Sequence, residues 1–156
     1  MTKDEEIVHL KAIIEELKHD YLTGLEQRGA FELSLQQHFD SGEPFILVMC
    51  DVNNLHNINR EFGYAAGDSL IRRVAEDLRN SFSQYGQFYK AGGADEFFGI
   101  LSVDAINKCK NDIPDAECAY VLSTEFGHQS LMMDEVDRRV TLKKASNKNR
   151  RKGDRL

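Results

Sequence analysis

Pro44 opens the stretch Phe45-Ile46-Leu47-Val48-Met49-Cys50-Asp51, in which six apolar residues run without interruption and stop on an acid. A short unbroken apolar run of this kind predicts a strand buried on both faces, with Asp51 presented at the C-terminal edge of a sheet. Downstream, Leu55, Ile58 and Phe62 give a short helix that Gly63 ends, and Ala66 to Phe82 form a longer one with Leu70, Ile71, Val74 and Leu78 facing inward. Gln87–Ala91 and Glu96–Val103 then read as two strands around the tight turn Gly92-Gly93-Ala94-Asp95, a hairpin signal. Ala105–Lys110 reads as a short helix, Ala116–Phe126 as a strand and Leu131–Ala145 as a last helix.

Upstream of the first strand, Phe31, Leu35 and Phe39 mark a helix ending near Ser41-Gly42, preceded by a turn at Asp20–Leu25. Before that turn, Ile7, Leu10, Ile14 and Leu17 recur at spacings of three, four and three, which is a helical stripe over Asp4–His19. Ile at a and Leu at d suit a parallel dimer, and packing on the chain's own core is the alternative. The element order predicts an α/β (α+β) domain of ferredoxin-like type, with one mixed sheet, a central antiparallel hairpin and helices packed around it.

A chain of 156 residues holds one domain with a proper core and leaves no room for a second catalytic one. Its longest apolar run is far below the ~18 residues needed to span a bilayer. Met1-Thr2-Lys3-Asp4-Glu5-Glu6 is not a signal-peptide start, so a cytoplasmic protein without membrane association is expected. Cys50, Cys109 and Cys118 lack a C-x-x-C pair, which predicts buried or idle thiols rather than a disulfide framework or a zinc site. The net charge of −6 is unevenly spread: residues 138–156 hold nine Lys/Arg and one acid, leaving 11 bases against 25 acids elsewhere. With so acidic a body, and no aromatic platform beside the lysines, nucleic acid is not an expected partner.

Three segments, and a closing helix beside them, resemble the GGDEF family of diguanylate cyclases. Asp20-Tyr21-Leu22-Thr23-Gly24-Leu25-Glu26-Gln27-Arg28 is similar to the family's opening D-x-L-T-G-L-x-N-R. Asp51-Val52-Asn53-Asn54-Leu55-His56-Asn57-Ile58-Asn59 through Gly67-Asp68 follows D-x-D-x-F-K-x-x-N-D-x-x-G-H-x-x-G-D without a gap. Gly92-Gly93-Ala94-Asp95-Glu96-Phe97 is a near match to the name-giving turn, and Val136-Asp137 through Lys144 to Arg150 resembles the last helix. The resemblance divides the chain into an N-terminal helix (1–19), a GGDEF-like nucleotide-binding domain (20–150) and a basic tail (151–156).

What the resemblance implies is a metal-dependent homodimer that condenses two GTP into cyclic di-GMP and pyrophosphate. Mg²⁺ or Mn²⁺ would be held by Asp51, the Val52 backbone carbonyl and Asp95, since a hard cation takes one or two carboxylates plus phosphate oxygens and water. Asp95 and Glu96 would be the catalytic pair. Guanine presents donors on one edge and acceptors on the other, which Asp68 and Asn59 can read jointly. Free N–H groups at the start of the helix after Asn53 would hold phosphates at Asn54, Leu55 and His56, with Gly93 in the hairpin turn. Lys144 and Lys148, one turn apart, would neutralise the triphosphate.

Two departures from the family pattern bear on the chemistry of the site. His56 replaces the usual Lys, so a fixed positive charge gives way to an imidazole. In the turn, Ala94 either takes the place of the second glycine or is an inserted residue. The first costs on the order of 1–2 kcal/mol if a left-handed φ is required, and the second shifts the carboxylates. These departures leave open a non-catalytic module that binds a guanine nucleotide or a partner protein. Ser81–Gly86 lacks the R-x-x-D pair of product-inhibited members, so no feedback site of that type is expected.

Overall fold

The computed structural model describes residues 1–153, with side chains through Lys148. Helix α1 (Lys3–Lys18) and helix α2 (Arg28–Ser41) precede strand β1 (Ile46–Val52), followed by α3 (Leu55–Phe62) and α4 (Tyr64–Phe82). The hairpin β2 (Gly86–Lys90) and β3 (Glu96–Leu101) leads through a 3-10 turn to α5 (Ile106–Cys109), β4 (Ala116–Leu122) and α6 (Gln129–Gly153). Each element predicted from apolar spacing is present. The strand expected over Ala116–Phe126 stops at Leu122, because Ser123 leaves the ladder: its hydroxyl accepts from the Phe45 N–H at 2.9 Å and its own N–H donates to the Phe45 carbonyl. Helix α6 runs on past Ala145 to Gly153, so Arg151 to Gly153 of the expected tail are helical, and residues 154–156 lie outside the described residues.

The four strands lie in the order β2-β3-β1-β4, the ferredoxin-like plait the sequence predicts. Every neighbouring pair is antiparallel, so the sheet expected to be mixed is antiparallel throughout. The reason is topological: the helical connection from β1 to β2 skips one place, and β3 returns into the gap. The hairpin therefore reaches from the edge, at β2, to the centre, at β3.

Alternation along β1 sorts its side chains into two cores. Ile46, Val48 and Cys50 face α4, where Leu70, Ile71, Val74 and Leu78 are buried. Leu47 and Met49 face α2 and α6, among Phe31, Leu35, Phe98, Met132, Val136 and Val140. Leu78 is fully buried, and sequestering such a side chain is worth about 1.5–3 kcal/mol. Helix α1 contributes no buried residue, with Ile7, Leu10, Ile14 and Leu17 between 48% and 72% exposed. Its stripe is thus not packed on the chain's own core.

The cysteines correct the expectation of idle thiols. Cys50 and Cys118 stand opposite each other on β1 and β4, and their sulfurs form a cross-strand disulfide. Their separation of 68 residues hides this from any spacing rule, because strand register alone brings them together. Cys109 is free, and burial pushes its thiol up to about 11. No helix among the described residues is long and apolar enough to cross a membrane.

Candidate functional site

Strand β1 delivers Asp51 to the sheet edge, only 9% exposed, directly across from Glu96 at the start of β3. Residues paired in this way share a sheet face. The hairpin turn is tied down beside them, since the Val52 N–H donates to the Asp95 carbonyl at 2.8 Å. As a result Asp51, Asp95 and Glu96 each offer a carboxylate oxygen within 4.8 Å of the others. On a straight strand Asp95 and Glu96 would point to opposite faces, and the turn geometry brings both inward. Three converging carboxylates form a donor set that fits a hard divalent cation.

The turn also answers where the altered signature is tolerated. Gly92 alone carries the left-handed backbone, at φ +85°, and a Cβ there would stand 1.9 Å from Glu96 Oε2. Ala94 is not in the left-handed region, so an L side chain at that position costs no strain of this kind. Glu96 Oε2 accepts from the Gly93 N–H at 2.9 Å, folding the carboxylate over the glycine pair. Lys90 braces the turn from below, donating to the carbonyls of Gly93 at 2.6 Å and Glu96 at 3.2 Å. Burial lowers the Lys90 pKa, and the surrounding carboxylates oppose that shift. Sequence reasoning left Lys90 without a role, and its place one residue before Ala91-Gly92 is the signal that could have found it.

Lys144 reaches from α6 to Asp51, with Nζ 2.5 Å from Oδ2. Burial nonetheless pushes the Asp51 carboxyl up to about 6, with Lys144 opposing the rise and Asp95 adding to it. Beside this pair, Asn53, Asn54, Asn57, Glu117, Lys144, Asn147 and Lys148 line a cavity of about 280 Å³. Asn54, Lys144 and Lys148 are thus brought together around one cavity. Asn54 caps α3 from the left-handed region at φ 57°, and the Asn53 N–H is held by the Asp115 carbonyl at 2.7 Å. The N–H groups of the first α3 turn have no intrahelical acceptor. Leu55 packs against the core and His56 is exposed, so neither side chain lines the cavity. Glu117 and Asn147 were missed, because only the β1–β4 register and the docking of α6 place them there.

Asn59 lies on α3 where it meets α4, close against the buried Gly67, and the exposed Asp68 follows in the chain. Among the described residues, the buried side-chain oxygens without a hydrogen-bond partner are Asp51 Oδ1 and Asn59 Oδ1. Buried polar atoms are normally paired, so each orphan calls for a partner such as a ligand, an ion or an ordered water. Both orphans fall on residues that sequence motifs single out, one for a cation and one for a base.

Residues 17–117 match the family described as diguanylate cyclase, GGDEF domain. The chain is similar to the diguanylate cyclase DgcP of Pseudomonas aeruginosa, 31% identical over 103 residues, or 63% of this chain and 15% of that protein. It is 28% identical to the diguanylate cyclase DgcN of Escherichia coli over 135 residues, covering 82% of this chain and 33% of that one. The chain thus spans well under two thirds of the length of these relatives. Among solved structures, the coiled coil and GGDEF domain of DgcB from Caulobacter crescentus, in complex with c-di-GMP, superposes with a TM-score of 0.74. That likeness has 20% identity and covers 92% of this chain and 88% of that one. With the plait, the converging carboxylates and the match over residues 17–117 taken together, the chain belongs to the GGDEF domain family.

Proposed function

We propose that the domain binds GTP together with Mg²⁺ or Mn²⁺ and, as a homodimer of loaded domains facing each other, condenses two GTP into cyclic di-GMP. Each 3′-hydroxyl attacks the other nucleotide's α-phosphate, the α–β phosphoanhydride bond breaks, and two pyrophosphates and two protons leave. The observation that carries this reading is the pair of orphaned oxygens, Asp51 Oδ1 and Asn59 Oδ1.

Asp51, Asp95 and Glu96, with the Val52 carbonyl, would hold the cation, which when bound supplies charge neutralisation at the phosphates. Asp95 and Glu96 sit where they can orient the attacking hydroxyl. The N–H groups at Asn54, Leu55 and His56 and the lysines 144 and 148 receive the polyphosphate, with Gly93 presenting its backbone in the turn. Asn59 and Asp68 read guanine, and an adenine would leave the Asp68 carboxylate facing no donor pair.

A second reading, a module that binds a guanine nucleotide and signals by occupancy without turnover, draws support from the exposed His56 in place of a lysine. One assay separates the two. Purified protein is incubated with GTP and Mg²⁺ or Mn²⁺ at high protein concentration, beside Asp95→Asn. Cyclic di-GMP formed by the wild type and lost in the variant supports the cyclase. Nucleotide binding without product leaves the occupancy module.

A further inference from the structure

Glu96, Asp51 and Glu117 lie in one row across β3, β1 and β4, so all three side chains rise from the same sheet face. The first two converge with Asp95, whereas Glu117 turns into the cavity that Lys144 and Lys148 line. Its carboxylate is held there by a hydrogen bond from Asn147 Nδ2. That bond is the last of three rungs spaced four residues apart on α6: Arg139 donates to the Tyr120 carbonyl and Lys143 to the Cys118 carbonyl. The rungs cover the outer edge of β4 and fix α6 on it. A fixed carboxylate therefore shares the cavity with two lysines, one of which is already engaged by Asp51.

We propose that Glu117 is a specificity-determining residue of this cavity, selecting by like-charge repulsion against polyphosphate that arrives without a divalent cation and admitting the cation-bound form. The proposal rests on the reading of the cavity as the phosphate site. A metal-free polyphosphate meets Glu117 with its full negative charge, and a divalent cation cancels two of those charges before entry. Lysines alone would attract both forms. With Glu117 beside them, metal-free chains are penalised more heavily, by about three- to tenfold for a difference of two charges roughly 6–10 Å away at the water-like permittivity of an open cavity.

A purely structural Glu117 would act only through Asn147. Glu117→Gln separates the two roles, because the amide oxygen still accepts that hydrogen bond while the charge is gone. The full chain is titrated calorimetrically with inorganic tripolyphosphate and with GTP, each in excess Mg²⁺ and in EDTA. In the variant, metal-free tripolyphosphate is expected to bind three- to tenfold tighter, with a clearly smaller gain for the magnesium form, so that the preference for the magnesium form falls about twofold or more. Glu117→Thr, short and neutral, gives the same direction if the glutamine variant folds poorly. Equal gains for both forms, no gain, or a loss would overturn the proposal. Wild-type binding of magnesium tripolyphosphate without binding of magnesium GTP removes the guanine-nucleotide reading and leaves the charge selection standing. Magnesium GTP binding with no selective effect of either variant removes the charge selection alone.

Discussion

Asn59 fits beside residue 67 only because that residue has no side chain: a Cβ on Gly67 would stand 1.7 Å from Asn59 Oδ1 and 2.8 Å from its Cγ. Gly67 is buried in the first turns of α4, where a glycine has no conformational purpose of its own. Its value lies in the room it leaves for a carboxamide on the neighbouring helix.

Gly67→Ala is therefore expected to separate stability from recognition. Alanine gains about 0.5–1 kcal/mol as a helix residue, and pushing Asn59 off its rotamer costs about 0.5–1.5 kcal/mol, so the two nearly cancel. The melting temperature should move by only a few degrees. Preference for GTP over ATP in a competition titration should fall by about tenfold or more, and retention of that preference would show that Asn59 does not read the base.

The two unusual positions of the hairpin turn should behave in opposite ways. Gly92→Ala forces a left-handed φ on an L residue, costing on the order of 1–2 kcal/mol, and displaces the Glu96 carboxylate. Thermal denaturation should show the loss, and Mn²⁺ binding followed by electron paramagnetic resonance should weaken. Ala94→Gly should bring no gain in stability or turnover, because Ala94 is unstrained and glycine adds unfolded-state entropy worth about 0.4–1 kcal/mol.

Burial raises the Asp51 pKa from 3.8 to about 6, so the folded protein binds that proton more tightly than the unfolded chain does. Stability from this group is accordingly greatest below pH 3.8, falls as the pH rises towards about 6, and is flat above. Asp51→Asn is expected to be more stable than the wild type at pH 7.5 by on the order of 2 kcal/mol, with the difference largely gone near pH 4. Urea denaturation at the two pH values checks this. Mn²⁺ should likewise raise the wild-type melting temperature at pH 7.5 more than at pH 5.

Helix α1 exposes Ile7, Leu10, Ile14 and Leu17 and buries nothing of its own. A second copy of the chain would cover this apolar stripe. Removing residues 3–18 should leave the melting temperature of a dilute sample within about 2 °C, since no core contact is lost. Sedimentation velocity should show less dimer at equal concentration, and an unchanged dimer fraction would place the interface elsewhere.

Element order, the two-faced burial of Phe45 to Asp51 and the residue types at the site are legible in the chain alone. Apolar periodicity is local, and the motif around Asp51 to Asp68 is contiguous in the chain. What meets across elements is set by the folded arrangement. Antiparallel register set Asp51 between Glu96 and Glu117 and joined Cys50 to Cys118, partners 68 residues apart. The docking of α6 carried Lys144 onto Asp51, and the backbone of the turn put the positive φ on Gly92 instead of Ala94. Register and φ belong to the folded backbone, where one residue's slip would turn every side chain to the other face, and no local pattern encodes them.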